Sequence, residues 1–172
     1  MEFRKITYDN VDELLALSVH ENQKSFVASN RDSLVDAYLA LSTGCAAQPF
    51  GIYEEGRAVG FIMFRYDSLG DEDDPEIAQE NYCLWRFMID KSCQGRGLGK
   101  QALAMALDYV NALPLGSAEY CWVSYEPDNF AAKRLYARAG FQENGQRCGE
   151  EIVAAIKLSS KGAGSPAHLN KS

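Results

Sequence analysis

A chain of 172 residues and 19.0 kDa has room for one domain, large enough to bury roughly 70% of the surface its unfolded form exposes. Apolar residues make up 47%, charged residues 24% and aromatic residues 11%, which excludes collagenous, coiled-coil and disordered compositions. Its 17 Lys and Arg against 24 Asp and Glu leave a net charge of −7; a sequence-independent grip on nucleic acid needs clustered bases, so a cationic partner is favoured instead.

Near mid-chain the longest unbroken apolar run is 61–64, and the charged start Met1, Glu2, Phe3, Arg4, Lys5 lacks the apolar core of a secretion signal. A cytoplasmic protein without membrane contact is expected. The five cysteines, Cys45, Cys83, Cys93, Cys121 and Cys148, form no C-x-x-C pair and read as free thiols in a reducing compartment. His20 and His168 are the only histidines, too few for a zinc-type ligand set, so no metal is expected.

Taken in chain order, residues 3–7 alternate apolar and charged side chains like a short edge strand. Asn10, with Glu13 three positions on, predicts a capped start to a short helix carrying Val11, Leu14, Leu15 and Leu17. Ser29 predicts the cap of a second helix with Leu34, Ala37, Tyr38 and Leu41 on one face, ending before Gly44. Residues 49–53 and 59–66, around Glu54, Glu55, Gly56 and Arg57, read as a hairpin. The stretch 67–80, with Asp71, Glu72, Asp73, Asp74, Glu76 and Glu80 and no base, reads as a solvated loop. Residues 82–90, apolar but for Arg86 and the closing Asp90, suit a central strand covered on both faces.

A helix from Leu98 to about Leu113 carries Ala102, Met105, Ala106, Tyr109, Val110 and Leu113 on one face and is stopped by Pro114. Next come a strand at 119–125 and a helix at 129–139 with Ala132, Leu135, Tyr136 and Ala139 on one face and Gly140 as its cap. Strands at 141–146 and 150–158 close a single domain, 1–158. Residues 159–172 have too little apolar surface to offset their ordering entropy and are expected to form a mobile tail. This order implies an α/β (α+β) architecture: a mixed sheet with helices on both faces and one right-handed crossover at 82–125.

The chemistry concentrates where Gln94, Gly95, Arg96, Gly97, Leu98, Gly99 and Lys100 join a strand to a helix. Glycines let the backbone turn tightly and a ligand come close, while free N–H groups and the helix dipole favour an anion such as a phosphate. A Rossmann fingerprint needs glycine where Lys100 stands, and a Walker loop needs a longer spacing and Ser or Thr in place of Gln101. On the glycines alone, a tight turn without a ligand is an equal reading.

With its surroundings this stretch resembles the Gcn5-related N-acetyltransferase (GNAT) superfamily, whose acetyl-CoA motif Q/R-x-x-G-x-G/A is matched by Gln94, Gly97 and Gly99. The resemblance continues in Asn129, Ala132, Leu135, Tyr136, Gly140 and Phe141 and covers 3–158. It implies a mixed, mostly antiparallel sheet of about seven strands and an acetyl-CoA-dependent N-acetyltransferase. It further implies that N–H groups from Gly95 to Lys100 hold the CoA pyrophosphate and that main chain near Met88 and Ile89 pairs with the pantetheine arm where the central strand splays from its neighbour. Asn129 would touch the same arm and Tyr136 would face the thioester sulfur. The cofactor-binding set is thus Met88, Ile89, Gln94, Gly95, Arg96, Gly97, Leu98, Gly99, Lys100, Asn129, Ala132, Lys133 and Tyr136, with Arg96, Lys100 and Lys133 acting through their charge.

In that chemistry an amine attacks the thioester carbonyl, an N–H of a bulged strand steadies the oxyanion, and a phenol protonates the departing thiolate. Tyr136 is the candidate general acid, though it also fits the apolar stripe it shares with Ala132 and Leu135. Residues 20–30, the helix to Tyr38, and Trp85 to Asp90 look like bacterial diamine or polyamine N-acetyltransferases. Clustered carboxylates at 71–80 would draw a polyamine, or simply solvate a loop. Animal spermidine/spermine acetyltransferases carry a glutamate as base on the central strand, but here Trp85 falls there, leaving the base open among carboxylates such as Glu55, Glu80 and Glu126. Phe26 and Trp85 are candidates to hold the aliphatic or ammonium-bearing chain. A protein N-terminus or other small amine as acceptor, and a non-catalytic CoA-binding sensor, are the alternatives; a homodimer is compatible with the superfamily.

Overall fold

The computed structural model describes residues 1–68 and 73–159. Strand β1 (Glu2–Lys5) leads into helices α1 (Val11–Ala16) and α2 (Asn30–Ser42), then strands β2 (Ala46–Glu54), β3 (Arg57–Tyr66) and β4 (Tyr82–Ile89). Helix α3 (Leu98–Asn111), strand β5 (Tyr120–Tyr125), helix α4 (Phe130–Ala139) and strands β6 (Gln142–Cys148) and β7 (Glu151–Lys157) complete the order. Each expected strand and helix is present with its ends moved slightly.

Local signals explain most ends. Ser29 accepts from the Asp32 N–H at 3.1 Å and starts α2, and Asn129 accepts from the Ala132 N–H at 3.1 Å and starts α4. Gly140, at φ 102°, ends α4. Glu55 and Gly56 turn β2 into β3 with φ of 50° and 82°, the sign that matches strand twist. Asn10 departs from expectation and does not cap α1: its Oδ1 accepts from the Thr7 N–H at 2.8 Å and its Nδ2 donates to the Lys5 carbonyl at 3.0 Å, closing the β1–α1 turn instead.

The strands form one sheet in the order β1-β2-β3-β4-β5-β7-β6, antiparallel throughout except for β4–β5. Because side chains alternate between faces, Phe50, Ile62, Phe64, Leu84 and Val123 meet α3 and α4 through Leu98, Ala102, Leu103, Ala106 and Tyr136. On the opposite face Ala47, Phe61 and Met63 meet Ala37 and Ala40 of α2, and Tyr53 and Ala58 meet Leu14 of α1. Opposite β3, Met63 pairs with Arg86 and Phe64 with Leu84, so Trp85 is an extra residue bulged from the ladder. No helix among the described residues is long and apolar enough to cross a membrane.

Of the expected α2 stripe, Ala37 is buried and Leu34 packs beside it, but Tyr38 and Leu41 are 70% and 57% exposed, and Asn30, Ser33 and Ala40 complete the buried face instead. The small face packs closest because its polar groups are satisfied: Asn30 Nδ2 donates to the Leu14 carbonyl at 2.7 Å and Ser33 Oγ to the Ser29 carbonyl at 2.9 Å. On α3, Leu98 and Leu103 join the buried face, while Leu113 falls beyond the helix and is exposed. The described part of 67–80 is more than a solvated loop. A 3-10 turn at Glu76–Ala78 packs Ile77 and Ala78 against Cys83, Trp122 and Val153, and Asp74 pairs with Arg65 at 3.5 Å. Asp71 and Glu72 lie outside the described residues, as does the expected tail from 160 onward. Ser159, the first residue of that tail, is tied down, donating through N–H and Oγ to Asn111 Oδ1 at 2.9 and 3.0 Å. All five cysteines are free thiols, with Cys83, Cys93 and Cys121 buried and Cys45 and Cys148 half-buried.

Gly60 lies opposite Ile89, and a Cβ there would stand 2.4 Å from the Met88 carbonyl oxygen. Gly60→Ala is therefore expected to destabilise by about 1–3 kcal/mol, as overpacking does, read as a lower urea midpoint. An unchanged midpoint would show that β3 and β4 part there freely.

Candidate active site

Strands β4 and β5 pair only through Tyr82 with Cys121 and Cys83 with Trp122. That contact is pinned: Asn81 Oδ1 accepts from the Glu119 and Tyr120 N–H groups at 3.1 and 2.7 Å, and the Tyr82 hydroxyl accepts from the Leu115 N–H at 2.7 Å. From Leu84 and Val123 onward the strands diverge, so the β5-facing edge of β4 has no ladder partner. A cavity of about 710 Å³ fills the wedge. It is lined by Leu98 and Tyr136 from the α3–α4 side and by Phe26 and Trp85 from the α1–α2 side, so it passes through the sheet.

Asp90 ends β4 and organises the loop that leads into α3. Its carboxylate accepts from the Ser92 N–H and hydroxyl at 2.9 and 2.6 Å and from the Ser18 N–H at 2.9 Å. Gln94 donates to the Ile89 carbonyl at 3.0 Å and to Gln23 Oε1 at 2.9 Å, fastening this loop both to β4 and to the α1–α2 connection. Gly95 and Gly97 then adopt φ of 77° and 79°, Gly97 as the N-cap of α3. The Gln101 N–H reaches the Gly97 carbonyl at 3.3 Å, whereas among the described residues the N–H groups of residues 95–100 find no acceptor. A Cβ at Gly95 or Gly97 would meet no atom within 4 Å. The loop is an open cup of donors at a helix N-terminus, fitted to an anion.

Tyr136, the buried residue of α4, stacks on Tyr125 at 5.9 Å between ring centres and lines the cavity. Burial first, then the neighbouring Cys83, Cys121 and Glu151, push its phenol well above the usual tyrosine range, so it is neutral at physiological pH.

Of the residues singled out from sequence, Met88, Ile89, Gln94, Gly95, Gly97, Leu98, Gly99, Lys100, Asn129, Ala132 and Tyr136 line this cavity, as do Phe26 and Trp85. Arg96 and Lys133 do not, being paired with Glu54 at 2.7 Å and Glu143 at 2.8 Å. Glu55, Glu80 and Glu126 also lie away from it. Glu55 sits in the β2–β3 turn, Glu80 in the turn before β4 with its N–H on Asp67, and Glu126 just past β5 with its carbonyl on the Asn129 N–H. Glu151, the first residue of β7, was not among the candidates, yet it is the single carboxylate lining the cavity among the described residues, and it accepts from the Ser124 hydroxyl. Its place is set by the register of β7 on β5, which no local pattern announces.

Residues 13–141 match the acetyltransferase (GNAT) family. The chain is 36% identical over 149 residues to a probable spermine N(1)-acetyltransferase of Bacillus subtilis subsp. natto, covering 85% of this chain and 90% of that one. It is 35% identical, with the same coverage, to a spermine/spermidine N(1)-acetyltransferase of Bacillus subtilis strain 168. The fold is similar to that of an aminoglycoside acetyltransferase in complex with coenzyme A, with a TM-score of 0.72 at 15% identity over 90% of this chain and 93% of that one. The chain therefore belongs to the GNAT acetyltransferase family, and it is an acetyl-CoA-dependent N-acetyltransferase of that type.

Burial acts to raise the pKa of Asp90, but hydrogen bonds from Ser92 and Ser18 outweigh it and hold the carboxyl below its usual value. A carboxylate depressed on folding contributes stability that is present above its unfolded pKa and lost as pH falls through the folded one. Asp90→Ala is expected to cost about 1–3 kcal/mol at pH 7, with the gap to wild type closing below about pH 4. Equal denaturation midpoints at pH 7 would show that the loop stands without this carboxylate.

Proposed function

We propose that the enzyme acetylates a primary amine of a polyamine or diamine, of the spermidine or spermine kind, by direct attack of the amine on the thioester, with residues 1–158 as one catalytic domain. The observation that carries this reading is the cavity passing through the sheet: an open cup of N–H groups and a neutral phenol stand on one face, and aromatic side chains stand on the other. The cup fits a pyrophosphate, with Lys100 beside it, and the free edge of β4 between Leu84 and Ile89 offers main-chain groups to an amide-bearing arm. Bound there, acetyl-CoA supplies the electrophilic carbonyl. The bulge at Trp85 interrupts the β3–β4 ladder beside that edge, and an N–H of the bulged strand steadies the developing oxyanion. Tyr136, held neutral by burial, keeps a proton to give to the departing sulfur.

A polyamine is supported by the two Bacillus relatives and by the charge of −7. The described end of the acidic stretch adds to this: Asp73 lies against Gly149 in the β6–β7 turn, where a Cβ would be 3.8 Å from its carboxyl carbon. Ammonium groups extending from the acceptor face would meet that edge. The free thiols fit a reducing cytoplasm.

Tyr136→Phe is expected to lower kcat with spermidine by about 10²–10⁴ while coenzyme A affinity holds; full activity across pH would remove the phenol from its role. Gly97→Val forces a β-branched residue into φ 79°, a strain of about 1–2 kcal/mol that falls on the cup. Calorimetry should show roughly tenfold weaker coenzyme A binding, and unchanged affinity would move the cosubstrate elsewhere. In a panel of amines and peptides, preference for a peptide N-terminus would overturn the polyamine assignment, and tight coenzyme A binding without thiol release on any amine would mark a sensor.

A further inference from the structure

We propose that Glu151, fixed by the Ser124 hydroxyl, is the group that receives the ammonium of the incoming amine and takes one of its protons before attack. The inference rests on the reading of the acceptor as a cationic amine, and supplies the base that Glu55, Glu80 and Glu126 do not.

Position is the first argument. Ser124 lies opposite Val153 in the β5–β7 ladder, and Glu151 is two residues before Val153 on the same strand. By alternation both side chains share the sheet face of Trp122 and Val153, against which Trp85 packs. Tyr125, Val123 and Tyr136 belong to the opposite face. The carboxylate thus stands on the α1–α2 side of the gap and the phenol on the other, with the cavity between them.

Availability is the second. Asp36 is paired with Arg86 at 3.1 Å, Asp74 with Arg65 at 3.5 Å, Glu54 with Arg96 at 2.7 Å and Glu143 with Lys133 at 2.8 Å. Asp90 is saturated by Ser18 and Ser92. Glu151 has a hydroxyl donor and, among the described residues, no cation within ion-pair distance. A carboxylate oriented by a neutral hydroxyl and not engaged in an ion pair is open to an incoming ammonium group.

The groups around it leave that role uncontested. Tyr136 from α4 and Cys148, its ladder partner on β6, are both shifted upward, chiefly by burial, and stay protonated near neutrality. Asp73 and Asp74 act on the same thiol, while Lys24 of the α1–α2 connection and Arg86 of β4 line the cavity.

The proton balance closes. Glu151 takes one proton from the ammonium, and the freed lone pair forms the C–N bond to the thioester carbonyl carbon. As the C–S bond breaks, the sulfur takes the Tyr136 proton, the acylated nitrogen returns one to the phenolate, and Glu151 releases its own to solvent. One acetyl group moves, and one thiol and one proton leave.

The test compares wild type, Glu151→Gln and Ser124→Ala, with coenzyme A binding as the check on folding. With spermidine at pH 7, Glu151→Gln should lose about 10²-fold in kcat/KM, and the deficit should shrink toward pH 9–10 as solution deprotonates the amine. An acceptor already neutral at pH 7, such as an arylamine, should be turned over within about threefold of wild type, since it needs no base. Ser124→Ala should show a smaller loss with the same pH signature, and decides the matter if Glu151→Gln no longer binds coenzyme A. A deficit equal at all pH values and for the neutral acceptor, or no deficit at all, overturns the proposal. Absence of wild-type turnover with spermidine overturns the polyamine reading instead, and the comparison then runs on whichever cationic amine the wild type acetylates.

Discussion

The site depends on a strand contact that stops early. β4 and β5 share two residue pairs, locked at one end by Asn81 and Tyr82, and then separate. Were the ladder to continue, the main-chain groups of β4 from Leu84 onward would be satisfied and the gap closed. Because α3 is the crossover between these parallel strands, its N-terminus falls where β4 ends, beside the opening. A single geometric event thus puts a free strand edge and a free helix N-terminus at the same place.

The bulge at Trp85 adds the second asymmetry. With one extra residue in β4, Trp85 and Arg86 follow each other on the face covered by α2, where Arg86 pairs with Asp36. Their side chains, with Phe26, make the wall opposite the glycine loop. The two sides are not independent, because Asp90 and Gln94 fasten the α1–α2 connection to the loop through Ser18 and Gln23. The connection reaches the cavity as part of the framework that holds the glycine loop.

Charge is distributed in the same economical way. An acidic chain keeps most carboxylates near the site in ion pairs or capping bonds, so their fields are largely local. The cavity lining itself carries Lys24, Arg86 and Lys100 against Glu151. Lys100 stands at the glycine loop, Lys24 and Arg86 belong to the opposite wall, where Arg86 is paired with Asp36, and Glu151 is the one carboxylate among the described residues of the lining.

The strands and helices, the Ser29 and Asn129 caps and the glycine loop were legible in the sequence because each rests on contacts within a few residues: a hydrogen bond to the next turn, a positive φ, a period of apolar side chains. The face that α2 buries was legible only through Leu34 and Ala37, since Asn30 and Ser33 become good core residues only once the Leu14 and Ser29 carbonyls are in reach. Not legible were the packing of Ile77 and Ala78 and the place of Glu151, which a glutamate pair at a turn does not disclose. By itself the sequence determined the order of elements and the donor cup of the family. Tertiary structure alone decided which carboxylates reach the cavity and which bases are spent in pairs, because those depend on strand register and sheet divergence, set by contacts between residues far apart in the chain.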